Sequence, residues 1–311
     1  MAQASRPARP FAEACAASPG GGASASANGP ISVVTGATSG IGAETALGLG
    51  RLGGTVILVA RNADKGHRFA SRVARSIGTG KAHLVVADLS SRAEIRSAAE
   101  EILRLVPWVD VLVNNAGAYF GRRETSTDGI EMNLALNHLA PFGLTLRLMG
   151  ALTRSPAARV VNVASDAHRT ATLDLDDVQS TRRYDRLEAY ARSKLANVLF
   201  TNGLARRLQG TRVTANAVHP GVVATNLGGN NGWMKTRVRN LLRRSMLSPA
   251  EGARTSLYVA TAPELNGVSG RYFSACKEKR ASDASYDVEA AARLWELSEE
   301  LSGVRWRDVV T

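Results

Sequence analysis

The pair of residues in this sequence best suited to acid–base chemistry is Tyr190 and Lys194. They lie four positions apart in the segment Tyr190-Ala-Arg-Ser-Lys194, and residues i and i+4 of a helix share one face. A phenol with an ordinary pKa near ~10 exchanges protons poorly at neutral pH, whereas an ammonium held close to it favours the phenolate and lowers that pKa. We therefore expect the pair to act as a general acid–base group. The alternative is an exposed helix that carries an unconnected Tyr and Lys.

The elements that must position this pair form an alternating pattern. After Lys194, Leu and Val recur at helical spacing, at positions 195, 198, 199 and 204, so this side of the helix is expected to pack against a core. Elsewhere, apolar runs of strand length, with helix-length segments between most of them, cover residues 31–34, 55–60, 82–87, 109–114, 159–164, 212–218 and 270–273. Such alternation predicts a single doubly wound α/β domain with a seven-stranded parallel sheet and helices on both faces.

We expect this domain to span residues 30–303. Residues 1–29 are dominated by Ala, Ser, Gly and Pro, a composition that buries too little apolar surface to offset the entropy of ordering. We interpret them as a disordered tail, and residues 304–311 as a C-terminal extension. The tail has no apolar stretch typical of a secretory signal, so secretion is not expected. A transit peptide is disfavoured only weakly, because the tail is poor in acids, as transit peptides are. A cytoplasmic protein is expected.

Composition argues against several classes of function. No apolar run approaches the ~20 residues of a transmembrane helix, so no membrane span is expected. Neither the two cysteines nor the five histidines occur at metal-ligand spacing, so no metal site is expected. The formal net charge is +12, but the arginines are interleaved with acids and accompany no nucleic-acid-binding motif. We therefore expect no nucleic-acid partner and attribute the charge to an Arg-rich surface and a phosphate-rich ligand.

The loop after the first predicted strand is rich in glycine. Its sequence is Thr35-Gly-Ala-Thr-Ser-Gly-Ile-Gly42, and a helical run follows it. Gly36, Gly40 and Gly42 allow a tight turn and a close approach of the backbone to a pyrophosphate, which binds the free N–H groups at a helix N-terminus. The order strand, glycine-rich turn, helix predicts a dinucleotide site more strongly than the glycines alone.

Arg61 follows the second predicted strand, where an NAD-dependent enzyme has an acid for the ribose 2′-hydroxyl. A guanidinium can bind a 2′-phosphate through two hydrogen bonds, so Arg61 favours NADP(H), with Asn62 and Lys65 as neighbours able to share the phosphate. The alternative is a surface arginine on a loop. Asp88, at the end of the third predicted strand, is placed to accept from an adenine amino group; its alternative role is a helix N-cap.

By this point the motifs resemble those of the short-chain dehydrogenase/reductase family, which has a Rossmann fold. The resemblance covers residues 31–303 and is carried by Thr35-Gly-x-x-x-Gly-x-Gly42, Asp88, Asn114-Asn-Ala-Gly117, Ser165, Tyr190-x-x-x-Lys194 and His219-Pro-Gly221. The chain looks closest to the retinol dehydrogenase branch through Asn137-His-Leu139, Val161-Asn-Val-Ala-Ser-x-Ala-His168, Ser193-Lys-Leu-Ala-Asn-Val-Leu-Phe-Thr201, His219-Pro-Gly-Val-Val223 and Gly267-Val-Ser-Gly-Arg-Tyr-Phe273.

The resemblance implies a catalytic tetrad of Asn137, Ser165, Tyr190 and Lys194. In it, Tyr190 exchanges the hydroxyl proton, Ser165 hydrogen-bonds the substrate oxygen, and Lys194 holds the nicotinamide ribose and lowers the pKa of Tyr190. It also implies that NADP(H) is held by Gly36, Thr38, Ser39, Gly40, Ile41, Gly42, Arg61, Asn62, Asp88, Leu89, Asn115, Ala116, Gly117, Tyr190, Lys194, Pro220, Gly221, Val223 and Thr225. A lone His219 is better explained by a structural hydrogen bond than by catalysis.

Asn137 lies in an apolar, helix-periodic segment, and Pro141 follows four residues later. Because proline has no N–H, the Asn137 carbonyl loses its i+4 donor and is left to hold a water that links Lys194 to solvent. Relatives more often lack a proline at this position. It could therefore exaggerate a distortion that the family shares, or only bend the helix.

Residues 226–247 combine glycines and apolar side chains with a basic amphipathic run at 235–244. The first feature suits a lid over an apolar substrate, and the second suits peripheral contact with an anionic membrane. We expect an NADP(H)-dependent alcohol dehydrogenase or carbonyl reductase for a small apolar substrate, retinoid-like if branch resemblance extends to substrate. A non-catalytic NADP(H)-binding redox sensor is the alternative. A monomer and a homodimer both remain open.

Overall fold

The computed structural model describes residues 29–78, 81–223 and 246–309. The expected tail, the basic run at 235–244, most of the expected lid and Thr225 lie outside the described residues. An eight-stranded sheet organises the described chain, and its strands follow one another in space in the order β3-β2-β1-β4-β5-β6-β7-β8. The strands are β1 (Ile31–Thr35), β2 (Thr55–Ala60), β3 (Ala82–Val86), β4 (Val111–Asn114), β5 (Arg159–Val163), β6 (Thr214–His219), β7 (Tyr272–Ser274) and β8 (Lys277–Lys279).

Strands β1 to β7 are parallel to their neighbours, and β8 is antiparallel to β7. In the register, Ile31 pairs with Thr55 on one side of β1, and Ser32 pairs with Val111 on the other. The strand order reverses direction at β1, so the connections from β1 and β4 leave the sheet towards opposite faces. In open parallel sheets, this switch point at the carboxyl ends of the strands is where ligands bind.

Helices cover both faces of the sheet. They are α1 (Gly40–Gly50), α2 (Ala63–Ile77), α3 (Arg92–Leu105), α4 (Ala140–Arg147), α5 (Met149–Arg154), α6 (Arg186–Arg207), α7 (Pro249–Thr261) and α8 (Val288–Ser302). A helical turn (Met132–Leu134) and a π-helix (Ala135–Leu139) lead into α4, and 3₁₀ turns occupy Asp166–Thr170, Pro263–Leu265, Asp283–Tyr286 and Trp306–Asp308. Among the described residues, no helix is both long and apolar enough to span a membrane.

Alternation of side chains along the strands creates two cores. Val33 packs into one core with residues of α3, α4, α6 and α8, while the adjacent Val34 packs into the other with residues of α1, α2 and α7. Trp295 of α8 lies in the first core, where it contacts Phe142 of α4 and Phe200 of α6. Burial of apolar surface on both faces holds the sheet rigidly beneath the loops at its carboxyl edge.

The doubly wound α/β fold is confirmed, and each of the seven predicted parallel strands is present within two residues of its expected bounds. The eighth strand is a finding that the sequence analysis did not predict. Its residues Lys277, Glu278 and Lys279 are all exposed and carry no apolar alternation. It forms because Ala275 and Cys276 adopt left-handed backbone angles, with φ of 52° and 55°, which reverse the chain directly after β7.

Candidate active site

Helix α6 places Tyr190 and Lys194 at the carboxyl end of β5. Asp185 caps the helix, because its side chain accepts hydrogen bonds from the N–H groups of Leu187 and Glu188. Lys194 is only 5% exposed, and its Nζ donates to the carbonyl of Val163, the last residue of β5, at 3.2 Å. Nζ also lies 5.6 Å from the centre of the Tyr190 ring. The two side chains therefore share one face of the helix, as their spacing predicts.

The direction of the Tyr190 pKa differs from the expectation. Burial raises the pKa of Tyr190 above its ordinary value, and a hydrogen bond with the Ser165 hydroxyl lowers it only in part. Burial also lowers the pKa of Lys194 to about 8. The expectation that Lys194 brings the Tyr190 pKa below its ordinary value is wrong for this chain. Withdrawal of the phenol from water is the larger effect, and the partial lowering of the pKa comes from Ser165.

Ser165 lies directly beyond β5, two residues after Val163, and caps the 3₁₀ turn Asp166–Thr170. Its Oγ accepts a hydrogen bond from the Ala167 N–H at 3.2 Å. The same hydroxyl hydrogen-bonds Tyr190. The structure thus brings Ser165, Tyr190 and Lys194 to one point at the carboxyl end of β5.

Asn137 is fully buried in the π-helix. Its Oδ1 accepts from the Ala118 N–H at 2.8 Å, and its Nδ2 donates to the Ala118 carbonyl at 2.9 Å and to Ser193 Oγ at 3.0 Å. Ser193 Oγ in turn donates to the Tyr190 carbonyl at 2.7 Å. The Asn137 side chain therefore ties the loop after β4 to α6. Ser193 was not among the expected site residues, although its position between Tyr190 and Lys194 is a signal for it.

The segment around Pro141 is more distorted than a simple bend. The Ala140 N–H donates to the carbonyl of Ala135, five residues earlier, instead of four. Pro141 falls in the first turn of α4, where a missing N–H costs least. Single π-helical turns occur frequently at functional sites. The expected water at the Asn137 carbonyl stays a prediction.

The glycine-rich loop is held against the loop after β4 by Thr35 and Asn115. Thr35 Oγ1 accepts from the N–H groups of Asn115 at 3.0 Å and Ala116 at 2.9 Å, while Asn115 Nδ2 donates to the Thr35 carbonyl at 2.8 Å. A Cβ at Gly42 would lie 2.4 Å from Asn115 Nδ2 and from the Gly36 carbonyl oxygen. Any residue other than glycine at position 42 would therefore force the two loops apart. Thr35 itself was not expected as a site residue.

Two observations indicate that a dinucleotide fits between these loops. At the N-terminus of α1, exposed Ser39 makes no side-chain cap, so the first N–H groups of the helix lack that partner. At Gly117, an added Cβ would lie 3.0 Å from Asn137 Oδ1 and 3.3 Å from Lys194 Nζ. The first site can receive a pyrophosphate and the second leaves a smooth backbone surface beside the lysine. Of the other expected loop residues, Gly40 has a left-handed φ of 56°, Thr38 is half-buried, and Ile41 is buried.

The far end of the cleft, after β2 and β3, is exposed. The Arg61 side chain is 67% exposed, and its Nη1 lies 3.9 Å from Asp88 Oδ2. Asn62 caps α2, since its Oδ1 accepts from the Lys65 N–H at 2.8 Å. Its side chain therefore has a structural role at the position expected to contact the cofactor.

Asp88 is not a helix cap, so that alternative is wrong. Its Oδ1 accepts from the N–H and Oγ of Ser90 at 2.9 and 2.7 Å, whereas the N-cap of α3 is Ser91. Leu89 turns its side chain into the core beside α3, which leaves its backbone as the part that could meet a cofactor.

The loop after β6 borders the start of α1. Gly221 has a left-handed φ of 84° after Pro220. Val223 forms a β-bridge with Leu247, and its side chain lies so close to Gly252 of α7 that a Cβ there would approach within 2.6 Å. His219 contacts Asp166 through both ring nitrogens, at 3.4 and 3.5 Å, which confirms a structural hydrogen bond. Within the described residues, no group of three or more His, Cys, Asp or Glu side chains could hold a metal ion.

Comparisons with known proteins agree with this geometry. Residues 30–235 match the family model described as short chain dehydrogenase. Human Retinol dehydrogenase 14 is 39% identical over 89% of this chain and 87% of its own length. The crystal structure of an uncharacterised Mycobacterium paratuberculosis protein has a TM-score of 0.72 and 32% identity, over 89% of this chain and 94% of that chain. A short chain dehydrogenase from Shigella flexneri complexed with NADP has a TM-score of 0.65 and 25% identity, over 80% and 98% of the two chains.

The family match spans more than half of the chain, and the retinol dehydrogenase relative exceeds 30% identity over most of both proteins. The glycine-rich turn, the loop after β4 and the Tyr190–Lys194 helix face all lie inside the matched residues. The chain therefore belongs to the short-chain dehydrogenase/reductase family of oxidoreductases, in its retinol dehydrogenase-like branch.

Proposed function

We propose that this protein is an NADP(H)-dependent oxidoreductase that interconverts an apolar alcohol and its carbonyl. The observation that carries the proposal is the close grouping of Ser165, Tyr190 and Lys194 at the end of β5, beside a loop that can receive a dinucleotide. A redox sensor needs the dinucleotide site but has no use for this arrangement of hydroxyl, phenol and ammonium.

A nicotinamide held in this cleft would supply or accept the hydride, and the side chains of this chain would transfer the proton. In the direction of reduction, Tyr190 donates its hydroxyl proton to the substrate oxygen while the Ser165 hydroxyl stabilises the charge developing there. Lys194, held by the Val163 carbonyl, orients the ribose and stabilises the phenolate that remains. Because the pKa of Tyr190 is raised by burial, the phenol is protonated at neutral pH. The phenol therefore holds the proton that it donates in this direction.

NADP(H) is proposed as the cofactor because of the charge at the end of β2. The end of β2 carries no acidic side chain, because its residues are Ala60, Arg61 and Asn62. No carboxylate there can accept a hydrogen bond from a free 2′-hydroxyl or repel a 2′-phosphate. The Arg61 guanidinium is exposed and bound only loosely by Asp88 at 3.9 Å, so it can turn to a phosphate at little cost. The Shigella flexneri relative complexed with NADP supports this choice.

The surroundings of Tyr190 favour an apolar substrate. The Tyr119 ring meets the Tyr190 ring edge-on, with centroids 5.8 Å apart. Leu187, one helical turn before Tyr190, is 66% exposed, and Val222, after β6, is 67% exposed. Exposed apolar side chains on the helix that carries Tyr190 and on the loop after β6 suit a hydrophobic alcohol or aldehyde. The name of the human relative makes retinoids the first compounds to test.

The test is a screen of hydrophobic aldehydes, ketones and alcohols, retinal and retinol among them, with NADPH or NADH followed by nicotinamide absorbance. We expect turnover of at least one apolar carbonyl, with NADPH preferred. The Tyr190→Phe protein serves as the blank for each substrate. Tight NADPH binding without turnover on any compound would reject the proposal in favour of the redox sensor.

A further inference from the structure

The turn that Ser165 caps is held in place by side chains that have no part in the proposed chemistry. This turn, Asp166–Thr170, begins where β5 ends and faces residues of β6 and β7. Two histidines, one acid and one tyrosine make the contacts: His168, His219, Asp166 and Tyr272. We define this set as the Ser165 clamp.

His168 links the Ser165 backbone to a distant loop. Its ring Nδ1 lies 2.7 Å from the Ser165 carbonyl, which can only accept, so Nδ1 carries the hydrogen. Its Nε2 lies 3.1 Å from the Ser282 N–H, which can only donate, so Nε2 is bare. The ring has no solvent exposure and packs against the Tyr272 ring at 4.9 Å. These contacts select one neutral tautomer of His168.

Asp166 fixes the same turn from the other side. The Tyr272 hydroxyl donates to Asp166 Oδ1 at 2.9 Å. The Asp166 N–H points to His219 Nδ1 at 3.4 Å, and His219 Nε2 lies 3.5 Å from Asp166 Oδ2. His219 therefore accepts a hydrogen bond with Nδ1, and its Nε2 lies at ion-pair distance from the Asp166 carboxylate. Arg169 Nε completes the carboxylate contacts at 3.0 Å.

We propose that the Ser165 clamp positions the Ser165 hydroxyl for its contact with Tyr190 and the substrate oxygen, and that neutral His168 is its central positioning residue. The inference rests on the proposed function, in which Ser165 acts on the substrate. A backbone carbonyl held by a buried ring leaves the side chain of the same residue, here Ser165, little freedom. The reaction rate falls steeply when a hydroxyl that must lie within hydrogen-bond distance of a reacting atom is displaced by about 1 Å.

The clamp has a defined response to acid. Protonation of His168 would place a second N–H against the Ser282 N–H and abolish the acceptor on Nε2. The charged or titratable groups that face His168 are Asp166 and Arg169 on its own turn, His219 from β6 and Tyr272 from β7. Burial lowers the pKa of His168, and Arg169 acts in the same direction, while the Ser165 carbonyl and Asp166 oppose them. The ring thus stays neutral at pH 7, and the clamp loosens only as the pH falls below the ordinary range of histidine.

The first experiment compares His168→Leu with His168→Asn. An Asn side chain can still donate to the Ser165 carbonyl but cannot titrate, whereas Leu does neither. We expect His168→Leu to lower kcat roughly tenfold to a hundredfold with the Kd for NADPH unchanged. His168→Asn should recover most of that loss at pH 7.5 and should lack the acidic fall in kcat that wild type shows.

The second experiment is a double-mutant cycle with Ser165→Ala. If His168 acts through Ser165, His168→Leu will lower kcat little further in the Ser165→Ala protein. A merely structural role would reduce kcat by a similar factor in both backgrounds. A second cycle pairs Tyr272→Phe with Ser165→Ala. Tyr272→Phe removes one hydrogen-bond donor to Asp166 and keeps the ring that packs on His168.

The outcomes separate the two proposals. An inactive wild type that binds NADPH overturns the proposed function and with it the clamp. An active wild type whose kcat is insensitive to His168→Leu, or in which the two losses are independent, overturns the clamp alone. Should His168→Leu fail to fold, the His168→Asn pH profile and the Tyr272→Phe cycle decide the matter by themselves.

Discussion

The two ends of the cofactor cleft are built on different principles. At the end of β5, Lys194 is 5% exposed and Asn137 is fully buried, and their polar atoms bond to fixed backbone groups. At the end of β2, the Arg61 side chain is 67% exposed, and the contact with Asp88 spans 3.9 Å. The end at β5 is therefore set by packing, whereas the end at β2, where we propose that the 2′-phosphate binds, presents an exposed charge.

This difference indicates which substitutions should change the reaction rate, the stability and the cofactor preference of the protein. Buried polar groups are costly to disturb, because a lost partner leaves an unsatisfied group out of water. Exposed ion pairs contribute little to stability, so their residues can be replaced without harm to the fold. We expect substitutions of the buried residues at the β5 end to alter rate and stability together, and substitution of exposed Arg61 at the β2 end to alter cofactor preference alone.

The largest effect is expected from Tyr190→Phe, which removes the proton-transferring oxygen and keeps the ring. The rate kcat should fall by roughly 10² to 10⁴, the usual contribution of general acid–base catalysis, while NADPH binding stays nearly intact. Tyr119→Phe is the matched control, since Tyr119 contacts the same ring edge-on, and it should keep most of the rate. Retention of most of the wild-type kcat by Tyr190→Phe would show that the acid–base assignment is wrong.

Lys194→Met should lower turnover less than Tyr190→Phe does and should weaken NADPH binding, yet stabilise the fold. Burial lowers the pKa of Lys194 to about 8, below its unfolded value near ~10.4. Below pH 8 the folded state therefore bears the cost of a buried charge, up to about 3 kcal/mol. That cost disappears as the pH rises from about 8 to ~10.4, so the stability difference between variant and wild type should narrow over this window.

Urea unfolding at pH 7 and pH 9.5 measures this difference. Exposed Lys279 on β8 provides the control. Lys279→Met also deletes a positive charge, but that charge is in contact with water in the folded protein, so stability should be almost unchanged. A Lys194→Met protein that is less stable than wild type at pH 7 would mean that the Val163 hydrogen bond outweighs desolvation.

At the exposed end, Arg61→Ala should reduce the preference for NADPH over NADH by roughly tenfold to a hundredfold. This range corresponds to about 1.5 to 3 kcal/mol for a charge-assisted contact with a phosphate. Ala60→Asp combined with Arg61→Ala should lower the ratio further, because an added acid repels the 2′-phosphate and accepts from a free hydroxyl. The measurement is kcat/KM for NADPH divided by kcat/KM for NADH.

Arg75→Ala is the control for general charge, since Arg75 is exposed in the last turn of the same helix that follows Arg61. It should leave the ratio unchanged. A wild type that prefers NADH, or a ratio indifferent to Arg61, would make Arg61 an ordinary loop arginine and remove the basis for NADP(H).

The smallest effect concerns Asn62, whose side chain caps α2. Asn62→Ala should lower the free energy of unfolding by about 1 kcal/mol through loss of the cap. Asn62→Asp keeps a capping oxygen and adds a negative charge near the 2′-phosphate, so it should preserve stability and weaken NADPH preference. Equal cofactor ratios in wild type and Asn62→Asp would place the phosphate away from this residue.

Sequence reasoning succeeded where local pattern determines structure. The strand over Thr55–Ala60 has the bounds expected from its apolar run, and the spacing of Tyr190 and Lys194 does place both on one helix face. The glycines at 36 and 40 do adopt left-handed backbone angles. These features depend on neighbours in sequence, which a single chain displays directly.

It failed where the outcome depends on tertiary burial. Proximity of Lys194 predicts a lowered pKa for Tyr190, but only the folded structure reveals the desolvation that raises it. Likewise, Pro141 indicates a distortion but not the five-residue hydrogen-bond step of the π-helix. The partners of the Asn137 amide, Ala118 and Ser193, lie 19 and 56 residues away, and no local pattern identifies them.

The short β8 strand determines how the sheet ends towards solvent. Strand β7 is wholly buried, and such a strand at an open edge would be a template for pairing with another molecule. Instead β8 presents Lys277, Glu278 and Lys279, whose charges disfavour the docking of a further strand. The five residues 275–279 after β7 thus protect this edge of the sheet against edge-to-edge aggregation, a task unrelated to catalysis.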